Sequence, residues 1–348
     1  MEKPKNHPES GIKPLIGIIA NSTSPSNRLE LIAELGEPHD GFFNPLKFSF
    51  KEFLGEIIPL DIQPHDIFHK SGMAKGKTAM LNAVKYLAEK GAKVICFTAA
   101  TKRLPGKSDQ EVKSLYPDII FSIGDNLTSV SSLLLIDRIL SLPGKINPEK
   151  DQVVVLGWGI LGQKTIETLL AKNFQKITLV SEQKISGLDQ RVQVIDSPNN
   201  LPTQIKLLMS CTHKYKDEID PEKLWECLHP KAIILDVAIP QGISPKVHSH
   251  LPATTSLFHS GNFFLDDVKY NFPPSILSFP LVGFWFGCFT EAIILNIAQD
   301  AGEDLEKFNF FEINPEAQSM LRGYLEQEKV SLPLVNLFKP EKMEFIPL

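Results

Sequence analysis

Cys288 stands within the stretch GFWFGCFTEAIIL (Gly283 to Leu295), among aromatic residues and three positions ahead of a lone carboxylate, Glu291. A cysteine in that setting has two possible chemistries: a packed, inert thiol, or a thiolate that attacks a carbonyl. Pro280, Gly283 and Gly287 predict a helix start just before Cys288, and a helix N-terminus lowers a thiol's pKa. Glu291 falls on nearly the same helical face and, if ionised, opposes the thiolate. Gly283 and Gly287 leave room for a ligand near the sulfur, and Phe284, Trp285, Phe286 and Phe289 suit either a core or an apolar channel. The residues alone leave both readings open.

A second cluster is more specific. In QVVVLGWGILGQKTIETLLAK, an apolar strand (Val153 to Leu156) runs into Gly157, Gly159 and Gly162, and a helix follows through Leu170. Strand, G-x-G-x-x-G and helix in that order form the dinucleotide fingerprint. Gly157 permits the tight turn, Gly159 lets the backbone approach a pyrophosphate, and Gly162 lets helix and strand pack closely. The N–H groups around Ile160 and Leu161, at the helix start, are expected to hold the phosphates. The next strand, KITLV, ends at Ser181 and Glu182, the latter 20 positions after Gly162. An acid there accepts the ribose hydroxyls of NAD and repels the additional phosphate of NADP.

Two further apolar runs, IKLLMSCT and KAIILDVAIP, continue the same unit. Ligands gather at the carboxyl ends of such strands. Thr212, His213, Asp236 and Pro240 are therefore candidates to line the nicotinamide side, with His213 as a candidate catalytic group.

The elements that must position these residues read as α/β. LIGIIAN (Leu15 to Asn21) suits a buried parallel strand, and KGKTAMLNAVKYLAEKGAKVICFTAA reads as helix, Gly91 stop and strand. GMAKGKT (Gly72 to Thr78) has three residues rather than four between its first glycine and the GKT, so a P-loop is rejected in favour of a loop leading into the helix. Asp118 to Lys150 reads as strand, polar turn and amphipathic helix, closed by the Pro- and Gly-bearing LPGKINPEKD. Two α/β domains are expected: a smaller N-terminal one over 1–145, and a Rossmann-type parallel sheet with helices on both faces over 148–270. Residues 271–348 are expected to form C-terminal helices packing back across the interface, with 281–298 as a buried helix.

Composition narrows the function classes. A net charge of −5 argues against an electrostatic grip on nucleic acid, and 43% hydrophobic against 22% charged residues gives ample core. Local basic groups remain, namely Lys70, Lys75, Lys77 and Lys85, and Lys102, Arg103 and Lys107, which suit an acidic partner or a cofactor phosphate. Four scattered cysteines form no CxxC pair, so neither a zinc site nor a disulfide framework is indicated. The polar, proline-containing start is not a secretory signal, and Glu291 and Asn296 interrupt the longest apolar run; the expected location is the cytoplasm, with no membrane span.

The order of IGIIANSTS, MLNAVKYLAEKGAKVICFTAAT, IGDNLTSVSS, the glycine-rich turn, ILDVAIP and GCFTEAIIL resembles the cyanobacterial long-chain acyl-[acyl-carrier-protein] reductases, over most of the chain. The resemblance implies a fatty acyl thioester, carried by acyl carrier protein or coenzyme A, reduced to an aldehyde by NADPH through an acyl-enzyme on Cys288. The chain departs from that family in its G-W-G-I-L-G turn, in Glu182 where the family carries a basic residue, and in lacking a histidine between Gly124 and Ser132. Glu182 favours NADH, so the cofactor expectation is NAD(P)H. Two other readings are carried beside it: a shikimate- or amino-acid-type dehydrogenase that passes hydride directly to a small carbonyl compound, and a dinucleotide-binding sensor without turnover.

Overall fold

A computed structural model describes residues 13–106, 108–142, 145–339 and 343–348. The polar start of the chain, Lys107 and the Pro-Gly of the connecting segment lie outside these residues. The chain opens with β1 (Leu15–Asn21), whose apolar run is buried on both faces as a central parallel strand must be. Ser24 then accepts the Asn27 N–H at 3.1 Å and Pro25 follows it, which starts α1 (Pro25–Leu35). The hairpin β2 (Leu46–Phe50) and β3 (Phe53–Leu60) leads to α2 (Lys70–Glu89), β4 (Ala92–Phe97), α3 (Gln110–Leu115), β5 (Ile120–Ser122) and α4 (Asp125–Ser141). The first sheet runs β2-β3-β1-β4-β5, parallel from β3 onward.

GMAKGKT lies inside α2 rather than in a loop before it. Its glycines serve packing: a Cβ on Gly72 would sit 2.2 Å from the Asp66 carbonyl, and one on Gly76 2.9 Å from Leu104. The basic groups nearby are paired, Lys75 with Asp61 and Lys77 with Glu111.

The second sheet is built from β6 (Gln152–Leu156), α5 (Ile160–Ala171), β7 (Lys176–Val180), β8 (Val192–Ile195), β9 (Ile205–Ser210), α6 (Pro221–Cys227), β10 (Leu228–Asp236), α7 (Pro245–His250) and β11 (Ser256–His259). All of its strands are parallel, in the order β8-β7-β6-β9-β10-β11. Numbered from β6, that is 3-2-1-4-5-6, the doubly wound Rossmann arrangement. The expected α/β class with a Rossmann-type parallel sheet is what the chain adopts.

After β11 come β12 (Asn262–Phe264), β13 (Val268–Tyr270), β14 (Phe284–Phe286), α8 (Gly287–Asp300), α9 (Pro315–Gln327), β15 (Ser331–Leu334) and β16 (Glu344–Pro347). β13 returns to the first sheet and pairs with β2, while β14-β12-β15-β16 forms an antiparallel sheet. The C-terminal region is thus not helical throughout. FWF forms a strand, pairing antiparallel with β12, and the helix expected from 281 begins only at Gly287. Among the described residues no helix is long and apolar enough to cross a membrane.

Trp285 anchors this junction. It is fully buried, with its ring centroid 4.8 Å from that of Phe48, 5.4 Å from Phe279 and 5.8 Å from Phe289. It therefore ties the first sheet to the segment preceding α8. Trp285→Ala is expected to cost about 3–5 kcal/mol of unfolding free energy in urea titration; a loss below about 1 kcal/mol would show that the cluster is not a core.

Candidate functional site

The glycine-rich turn is set by its neighbours. Gly157 sits at φ +97°, and a Cβ there would lie 2.7 Å from the Thr212 methyl. A Cβ on Gly162 would lie 2.0 Å from the Gly157 carbonyl, so only glycine lets α5 start this close to β6. Gly159 is the opposite case: it is exposed and nothing lies within 4 Å of where its Cβ would be. It is also the N-cap of α5, with no side-chain cap and no acid in the first turn. The N–H groups of Ile160, Leu161 and Gly162 thus begin a helix whose positive end faces open space, a ready anion site.

Around that turn, the Gly157 N–H donates to Val180 O at 3.0 Å, which brings Ser181 and Glu182 alongside. Ser181 is buried and its hydroxyl accepts the Gln183 N–H at 3.2 Å. Glu182 is half exposed and pairs with Lys214 at 2.6 Å. Thr212 follows β9, and its hydroxyl accepts the Lys214 N–H at 3.2 Å. Asp236 is buried away from the turn: its carboxylate accepts the N–H groups of Ala238 (3.2 Å), Gly242 (3.2 Å) and Ile243 (2.8 Å) and so shapes the loop after β10. Burial pushes its pKa up to about 7 against these hydrogen bonds.

A narrow, mainly apolar cavity opens where the lobes meet. Asn21, Thr98 and Ala99 line it from the carboxyl ends of β1 and β4, Ile239 from the loop after β10, and Cys288 and Phe289 from the start of α8. Its volume is about 30 Å³. Beside it, the Lys102 ammonium contacts both oxygens of the buried Asp125 carboxylate, at 2.9 and 3.1 Å. Lys102 follows β4 and Asp125 opens α4. His213 approaches the same region, its pKa lowered by burial first and then by the cations Arg103, Lys216 and Lys102. It is held as neutral imidazole at neutral pH.

Cys288 lines the cavity, but burial pushes its thiol up to about 12, with the Lys102 charge opposing. That is the reverse of an activated nucleophile. The carboxyl at Glu291 is fully buried and accepts the Ser122 hydroxyl at 2.5 Å and the Leu127 N–H at 2.8 Å. Ser122 in turn accepts the Gly124 N–H at 3.0 Å, so Glu291 holds the start of α4 and with it Asp125. The Lys102–Asp125 pair was not singled out from the sequence, where Lys102 read as part of a basic patch.

No family model matches the chain, and no curated protein matches it. Among solved structures it is similar to shikimate dehydrogenase 1 from Peptoclostridium difficile, at 11% identity and TM-score 0.42, covering 90% of this chain and 98% of that one. It is also similar to a shikimate 5-dehydrogenase-like protein, at 11% identity and TM-score 0.40, covering 90% and 99%. A third is an NADPH-dependent glyoxylate/hydroxypyruvate reductase from Sinorhizobium meliloti, at 12% identity and TM-score 0.34, covering 83% and 90%. These findings overturn the resemblance to acyl-[acyl-carrier-protein] reductases and the acyl thioester function and carrier partner it implied.

Glu291 gives a pH signature. Burial pushes its pKa up to about 7 from an ordinary value of 4.5. Below about 4.5 the group is protonated in both folded and unfolded states; from there to about 7 only the unfolded chain releases the proton, so stability falls as pH rises. Glu291→Gln, which still accepts through its amide oxygen, is expected to reduce that fall by about one proton's worth of slope. Parallel pH profiles of wild type and variant by urea denaturation would refute it.

Proposed function

We propose that the protein is an NAD(P)-dependent oxidoreductase that exchanges hydride directly with a small carbonyl or alcohol compound, without a covalent enzyme intermediate. The observation that carries this reading is the exposed, uncapped start of α5 at Gly159, at the carboxyl end of the central strand of a 3-2-1-4-5-6 sheet. Backbone N–H groups there fit a pyrophosphate, and the open Gly159 fits its close approach. Glu182 stands at the end of the neighbouring strand, where the ribose would lie.

When bound, the nicotinamide supplies or accepts the hydride. The chain's own contribution is proton transfer and positioning. Lys102 is the group suited to give a proton to the carbonyl oxygen as it gains negative charge, or to take one in the reverse direction. Asp125, buried and in contact with the ammonium, keeps Lys102 aimed at the cavity rim and compensates its charge. Glu291 fixes Asp125 through α4. The apolar walls around Ile239 and Phe289 exclude water from the reacting carbon. Cys288 remains a neutral wall residue.

Two measurements test the reading: NADH and NADPH titrations by fluorescence, and nicotinamide oxidation against a panel of ketones, 2-oxo acids and cyclic enones. Lys102→Met is expected to lower kcat by about 10²–10⁴-fold, with nucleotide affinity within about 3-fold of wild type. Full turnover in that variant would remove Lys102 from the chemistry. Nucleotide binding with no turnover on any of these carbonyls would favour a sensor.

A further inference from the structure

The glycine-rich turn is bridged on one side by an ion pair. β6 lies between β9 and β7, so a contact from the end of β9 to the end of β7 must cross the carboxyl end of β6. Lys214 makes that crossing, with Nζ 2.6 Å from the Glu182 carboxylate. The base of the crossing is fixed: the Thr212 hydroxyl accepts the Lys214 N–H, the Thr212 methyl abuts Gly157, and buried Tyr215 carries the ammonium 5.6 Å from its ring centre. The two charged ends remain half exposed, at 50% for Lys214 and 54% for Glu182.

A lone carboxylate at the end of the second strand would favour a ribose diol and repel a 2′-phosphate. An ammonium bonded to it cancels that repulsion and offers a phosphate partner at the same spot. We propose that Lys214 forms a 2′-phosphate subsite and that the Glu182–Lys214 pair sets nucleotide selectivity, admitting both NADPH and NADH. With NADPH, Lys214 turns from Glu182 to the phosphate; with NADH, Glu182 accepts the ribose hydroxyls and Lys214 stays paired with it. The inference rests on the dinucleotide-binding reading above.

The test is a fluorescence titration of NADH and NADPH against wild type, Lys214→Ala and Glu182→Gln. Wild type is expected to bind the two within about 10-fold of each other; Lys214→Ala should weaken NADPH by about 20-fold or more while NADH stays within about 3-fold, and Glu182→Gln should tighten NADPH by about 5-fold. Equal weakening of both nucleotides in Lys214→Ala, or no change in either, would overturn the subsite while leaving dinucleotide binding intact. Wild type binding neither nucleotide would overturn the dinucleotide-binding reading itself.

Discussion

At the junction of α4 and α8 there is no room for a methyl group. A Cβ on Gly124 would lie 2.2 Å from that of Cys288, and a Cβ on Gly287 would lie 2.7 Å from the Gly261 carbonyl and 2.9 Å from the Thr128 nitrogen. The two helix starts are pressed together, and a carboxyl buried between them, Glu291, accepts hydrogen bonds from the end of β5 and from the first turn of α4. Asp125 owes its position to this contact, and Lys102 owes its orientation to Asp125. Cys288 is half-buried against the same contact, and desolvation there pushes its thiol up to about 12. The close approach thus sets the surroundings of both Cys288 and the Lys102–Asp125 pair.

The lobes contribute unequal parts. The Rossmann sheet presents backbone: an uncapped helix end, an open glycine and a loop shaped by Asp236. The first sheet and α8 present side chains: an ion pair and apolar walls. The two sets meet at the cavity, with Ile239 reaching across from the loop after β10. Such a division suits a cofactor held by its phosphates on one side and a substrate held on the other.

Local features were legible in the sequence. The strand, glycine triad and helix at 152–171 follow from contiguous residues whose conformational demands are strict, and the buried parallel strands follow from their continuous apolar runs. The Lys102–Asp125 pair was not legible, because it joins the ends of two different strands and each residue alone has a commoner explanation. The role of Glu291 was partly legible: its proximity to Cys288 argued against a thiolate, but its partners Ser122 and Leu127 lie more than 160 positions away. The aromatic run FWF was misread as helix because its strand pairing with β12 is a long-range contact. The family resemblance failed where short motifs in matching order were taken to imply shared chemistry.

The claim most open to a decisive test is that the bare start of α5 receives a dinucleotide pyrophosphate. Gly159 has an extended conformation open to any residue, and space for a side chain, so Gly159→Asp would cap the helix with a carboxylate where the phosphates are to sit. Fluorescence titration with NADPH, alongside thermal unfolding, separates the outcomes. The account predicts a melting temperature equal to or above wild type and nucleotide binding weakened by about 30-fold or more. Undiminished binding in the folded variant would contradict it.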